Sequence, residues 1–75
     1  MDIINSIDKL LPIVAANVTR YRKELALTQE DLAFKADIDR TYIGYIENGK
    51  QNVSLEKLCE IAKALNVRVR DLIDF

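Results

Sequence analysis

Arg40, Thr41, Tyr42 and Tyr45 gather a guanidinium, a hydroxyl and two phenols into one short stretch, while Ile43 and Ile46 fall on the other side of any helix through it. These are hydrogen-bonding groups. An arginine presents parallel donors and hydroxyls both donate and accept, so the stretch suits recognition better than bond making or breaking. Catalysis lacks its usual parts. The 75 residues include no histidine and a single cysteine, Cys59, and the carboxylates and lysines show no nucleophile and base at suggestive spacing. The same shortage leaves almost nothing for a zinc or copper site and excludes an internal disulfide. No metal or cofactor is therefore expected, and Cys59 reads as a small core residue.

The elements that would position this stretch announce themselves by their starts. Thr28 is a good N-cap, Asp31 stands at the third helical position as a weaker relative of the capping-box glutamate, and Leu27 can staple onto Leu32. Asp39 is again a preferred N-cap, with Ile38 before it and Ile43 after it repeating the staple. A first helix ending near Ala36 leaves only Asp37 and Ile38 for the corner, which makes a helix-turn-helix the economical reading. Gly49 can take the left-handed conformation that ends the second helix, and Lys50, Gln51 and Asn52 form a polar loop. Ser54 caps a third start, with a Val53–Leu58 staple and a buried stripe of Leu55, Leu58, Ile61, Ala62 and Leu65. Asn66 is placed for a left-handed C-cap, and a last short helix is expected over about Val69 to Ile73.

Ahead of these, Ile3, Ile4, Ile7, Leu10 and Leu11 form the stripe of a short amphipathic helix with Asp2 as N-cap. Pro12 is favoured in a first turn and damaging inside a helix, so a new helix is expected from about Pro12, one kinked helix being the alternative. Val14, Val18, Tyr21 and Leu25 should then face the core, with Arg20, Arg22 and Lys23 nearer the surface. The fold class is all-α: a compact bundle of about five short helices around the helix-turn-helix, plus the extra N-terminal helix, in one domain over residues 1–75. Hydrophobic residues at 49% permit a core, though one small enough to gain from a partner subunit.

A net charge of −1 argues against a protein that coats nucleic acid nonspecifically. Between Arg20 and Asn52, Arg20, Arg22, Lys23, Lys35, Arg40 and Lys50 are balanced by Glu24, Glu30, Asp31, Asp37, Asp39 and Glu47, so the charge evidence is neutral. No apolar run approaches a membrane span and the start lacks an export signal, so a cytoplasmic location without membrane contact is expected. No segment reads as a domain that senses a small-molecule effector.

Leu27-Thr28-Gln29 with Leu32-Ala33, then Ile43, Ile46 and Glu47-Asn48-Gly49-Lys50, resemble the helix-turn-helix of the Cro and lambda-repressor-like (XRE) family. Asp39-Arg40-Thr41-Tyr42-Ile43 and Asn52-Val53-Ser54-Leu55 are more narrowly similar to the controller regulators of restriction-modification systems. The resemblance covers roughly residues 14–73 and leaves the first dozen unexplained. Asp37 departs from it, standing where the family usually has glycine.

The resemblance implies a homodimeric transcription regulator that binds a palindromic site on double-stranded DNA with its recognition helix in the major groove. It places Arg40, Thr41 and Tyr45 at base edges, where arginine can bond guanine O6 and N7 together and threonine and tyrosine can hydrogen bond or touch a base. It places Arg22, Thr28, Gln29, Tyr42, Asn48, Lys50, Gln51 and Asn52 at phosphates, and it pairs Arg22 with Glu47. An exposed pair of that kind would contribute ~0 to 1 kcal/mol, so its use would be to position Arg22 beside DNA. Leu72, Ile73 and Phe75 are the expected dimer interface, with Ile3, Ile4 and Ile7 as the rival. The competing reading is a helical protein-interaction module, antitoxin-like or adaptor, that turns the same motif toward protein. An enzyme is a distant third.

Overall fold

The computed structural model describes residues 6–74, so Asp2, Ile3, Ile4 and Phe75 lie outside the described residues. Five helices follow in order: α1 (Ile7–Glu24), α2 (Gln29–Ala36), α3 (Arg40–Glu47), α4 (Leu55–Leu65) and α5 (Val69–Leu72). No strand occurs among the described residues. α2 packs against α3 and α4, and α1 spans the bundle to touch α3, α4 and α5. The core they enclose is aliphatic: Val18, Leu32, Ile43, Ile46, Ile61, Leu65 and Leu72 are its largest fully buried side chains. No described helix is long and apolar enough to cross a membrane.

The caps form where the side chains dictate. The Thr28 hydroxyl accepts from the Asp31 amide at 3.0 Å while the Asp31 carboxylate accepts from the Thr28 amide at 2.9 Å, a complete capping box. Asp39 accepts from the Thr41 amide at 2.8 Å, and Ser54 from the Lys57 amide at 3.1 Å. The other helix ends share one device. α1 to α4 each finish with a residue at positive φ, namely Ala26 (57°), Asp37 (56°), Gly49 (70°) and Asn66 (58°). In each, the next amide reaches back to close the last turn: Leu27 to Arg22, Ile38 to Ala33, Lys50 to Tyr45 and Val67 to Ala62, at 2.9–3.0 Å. Ala26 is the unexpected member, since alanine gains nothing in that conformation.

Several expectations are corrected. Pro12 begins no helix; it lies inside α1, which starts at Ile7 after Ser6. Proline removes the bond to the Asp8 carbonyl, but Asp8 is exposed and water can serve it, while Leu10 and Val14 pack on the core side of the same helix. Leu25 is 48% exposed, because α1 ends there and the chain turns away at Ala26. Leu55, at the first position of α4, is 78% exposed and not part of the buried stripe. Cys59 is exposed as well, one residue off the Leu58–Ile61–Ala62–Leu65 line. Leu72 was expected at a dimer interface but is fully buried in the protomer's own core. It is held there partly by Asn17, whose buried amide donates to the Leu72 and Asp74 carbonyls at 3.0 and 2.9 Å and so fastens the end of α5 to α1.

Candidate nucleic-acid interface

The α2–corner–α3 unit is fixed by local rules at each joint. Two N-caps set where the helices begin, Asp37 supplies the left-handed residue between them, and Ile38 at the corner is buried among the core side chains. Ile43 and Ile46 anchor α3 inward at 0% and 1% exposure, which turns Arg40, Thr41 and Tyr45 to solvent. Tyr45 is half exposed. Tyr42 behaves differently, lying half-buried against the core.

Six of the eight residues expected at phosphates fall in two neighbouring places, while Arg22 lies on α1 and Tyr42 on α3. Thr28 and Gln29 stand at the N-terminus of α2, and Asn48, Lys50, Gln51 and Asn52 follow α3 in its loop. Of these, Thr28, Asn48, Lys50 and Asn52 are exposed, while Gln29 and Gln51 are half-buried. The two places are tied together from beneath. Arg22 of α1 grips Glu47 of α3 through Nε at 2.7 Å and Nη2 at 2.9 Å, donates Nη1 to the Leu27 carbonyl at 2.8 Å, and Glu47 also accepts from the Gln29 amide at 3.1 Å.

This network corrects the expectation of an exposed pair with Arg22 near the surface. The side chains of Arg22 and Glu47 are only 12% and 5% exposed, so three of the guanidinium's donors serve the protein's own interior. Burial pushes the Glu47 carboxyl up, but hydrogen bonds from Arg22 and Gln29, the Arg22 charge and the Thr19 hydroxyl together hold it below the ordinary carboxylate range. Glu47 is thus kept ionised, as the bidentate geometry requires. Asp31 is also lowered, chiefly by the Thr28 backbone amide and then by its hydroxyl.

One contact went unforeseen. Glu30, on the first turn of α2, accepts from Arg40 Nε at 3.1 Å, and both side chains are well exposed. Gly44 lies beneath that guanidinium: a β-carbon there would stand 3.5 Å from Arg40 Nη1 and 3.9 Å from Gln29 Oε1, with no backbone of another helix near. Sequence spacing gave no sign of the Glu30–Arg40 pair, because it joins two helices across a corner. The residues' opposite charge was the only available signal.

The helix-turn-helix family HTH_3 matches residues 18–72. The chain belongs to that family. Among relatives of this helix-turn-helix protein, control protein C.BamHI of Bacillus amyloliquefaciens is 53% identical over 49 residues, covering 65% of this chain and 60% of that one. Control protein C.SmaI of Serratia marcescens is 46% identical over 61 residues, covering 81% and 73%. The crystal structure of the restriction-modification controller protein C.AhdI from Aeromonas hydrophila superposes with a TM-score of 0.80 at 37% identity, over 83% of this chain and 94% of that one. The broad and narrow resemblances read from the sequence both hold. This helix-turn-helix protein is a sequence-specific DNA-binding transcription regulator.

Proposed function

We propose that the protein acts as a homodimer on an inverted-repeat operator and controls genes of a restriction-modification system, as its relatives' names suggest. The observation that carries the reading is the solvent-facing row of Arg40, Thr41 and Tyr45 on a helix whose opposite side is sunk in the core. α3 enters the major groove, Arg40 reads guanine, and Thr41 and Tyr45 complete the base contacts. Thr28, Gln29, Asn48, Lys50, Gln51 and Asn52 meet phosphates on either side, with Tyr42 bracing α3 from its inner edge.

The two-fold contact belongs on the face where Ile7, Leu10, Leu55, Val69 and Ile73 line an apolar groove that includes none of the reading residues. Ile7 and Leu55 are exposed at 46% and 78%, so they replace the buried Leu72 as the apolar groups a partner would cover. A pair so arranged sets its recognition helices about 34 Å apart, one duplex turn.

Selection of bound sites from random duplexes, followed by salt titration of the winner, tests the function. An inverted repeat should emerge, and log affinity should fall linearly with log salt. Lys50→Ala should weaken all duplexes alike and reduce that slope by about one. A winner without two-fold symmetry, or a salt slope unchanged in Lys50→Ala, would overturn this placement of dimer and phosphate contacts.

A further inference from the structure

The Glu30–Arg40 contact links a residue of α2 to the foremost side chain of α3, and its geometry is selective. Glu30 Oε1 takes the Nε hydrogen at 3.1 Å. A guanidinium can approach two acceptors either side-on, through Nε and one terminal nitrogen, or end-on, through both terminal nitrogens. Occupying Nε removes the first choice. Nη1 passes over Gly44, where a β-carbon would stand 3.5 Å from it, in ordinary van der Waals contact. Across that notch stands the Gln29 carboxamide oxygen, 3.9 Å from the same point, its nitrogen already bonded to buried Glu47. The arginine is therefore held by Glu30 at Nε and rests on Gly44 at Nη1, with the rest of its side chain open to solvent.

We propose that Glu30 is the positioning residue for Arg40: by accepting at Nε it fixes the plane of the guanidinium and presents its two terminal nitrogens end-on to a guanine. Base discrimination then depends on a carboxylate that touches no base. The inference rests on the reading of Arg40 as a base reader. Its opposite is also definite. Were Glu30 a competitor that Arg40 must leave in order to bind DNA, removing it would sharpen discrimination.

Stability is not at issue in the test. The side chains of Arg40 and Glu30 are 55% and 71% exposed, and exposed pairs barely affect folding. Affinities of the full chain, Glu30→Ala, Glu30→Gln, Arg40→Ala and the Glu30→Ala/Arg40→Ala double variant are measured on the selected operator. They are measured again on the same duplex with the contacted guanine replaced by 7-deazaguanine, which lacks N7. The intact protein should prefer guanine by roughly fivefold, the low end of the range for a bidentate base contact, because O6 remains to accept one hydrogen bond.

Glu30→Ala should lose most of that preference while binding the substituted duplex as well or better, because a negative charge near the phosphates has gone. Glu30→Gln, which keeps an accepting oxygen, should recover part of it, and the double variant should discriminate no less than Arg40→Ala alone. A merely structural role would weaken both duplexes equally and lower the melting temperature. Unchanged or increased discrimination in Glu30→Ala overturns the inference while leaving Arg40 as reader. Full discrimination in Arg40→Ala overturns both.

Discussion

Two arginine–glutamate pairs frame the helix-turn-helix. Arg22 and Glu47 meet at 2.7 Å with 12% and 5% of their side chains exposed, whereas Arg40 and Glu30 meet at 3.1 Å with 55% and 71% exposed. The chemistry is the same and the consequences are opposite. In the buried pair each charge has lost most of its water, so either partner alone would be poorly solvated and the network locks α1, α2 and α3 together. In the exposed pair, water screens the attraction and supports either partner alone. Burial therefore assigns the first pair to holding the fold and leaves the second free to serve recognition.

The largest test of that division is Arg22→Ala. Removing one partner of a buried ion pair costs about 3–5 kcal/mol, a large part of the ~4–11 kcal/mol available to a domain of this size. Urea unfolding should show a loss of this order. A change under about 1 kcal/mol would mean that the pair behaves as an exposed one.

Acid probes the same pair without mutation. Glu47 is held below the ordinary carboxylate range when folded, so its contribution is fully present above the unfolded value near 4.3 and is lost as pH falls through the lowered folded value. Melting temperature should therefore drop below about pH 4, and Glu47→Gln, already destabilised at neutral pH, should show a shallower acid dependence. An equally steep acid fall in that variant would move the effect to other carboxylates, of which Asp31 is one lowered in the same direction.

Arg40→Ala supplies the contrast. It should leave urea stability within about 1 kcal/mol while costing about 1–3 kcal/mol of binding on the selected operator. Comparable losses in folding and in binding would dissolve the distinction between the pairs.

How much of this was legible in the sequence follows the range of each interaction. Thr28, Asp39 and Ser54 could be read as caps because a cap acts within three residues of itself. The partnership of Arg22 and Glu47 came from the family pattern, but its burial did not, since burial depends on how three helices close over it. Asn17 joins carbonyls 55 and 57 residues away, and Glu30 meets Arg40 around a corner, so neither left a periodic trace. Pro12 was misread for the complementary reason: a local rule placed it at a helix start, and apolar packing along α1 outweighed the bond it forfeits. Cys59 and Leu55 mark the edge of a correctly placed stripe, where one position or one turn decides exposure.

The smallest expected effect concerns the corner that relates Glu30 to Arg40. Asp37 holds φ 56° there and Ala26 holds 57° at the end of α1, both in a region that costs L-residues about 1–2 kcal/mol. Glycine removes that strain but gives the unfolded chain more freedom, which returns about 0.4–1 kcal/mol. Ala26→Gly should therefore gain up to about 1 kcal/mol, while Asp37→Gly should lie near zero or slightly above, because aspartate already tolerates this conformation. Melting the two variants beside the intact protein gives the order. The more telling reading is operator discrimination by Asp37→Gly: if the caps and buried Ile38 set the corner, it stays at the intact value. If discrimination falls while stability holds, the left-handed aspartate itself is what keeps Glu30 within reach of Arg40, and the exposed pair depends on the fold more than its solvent exposure implies.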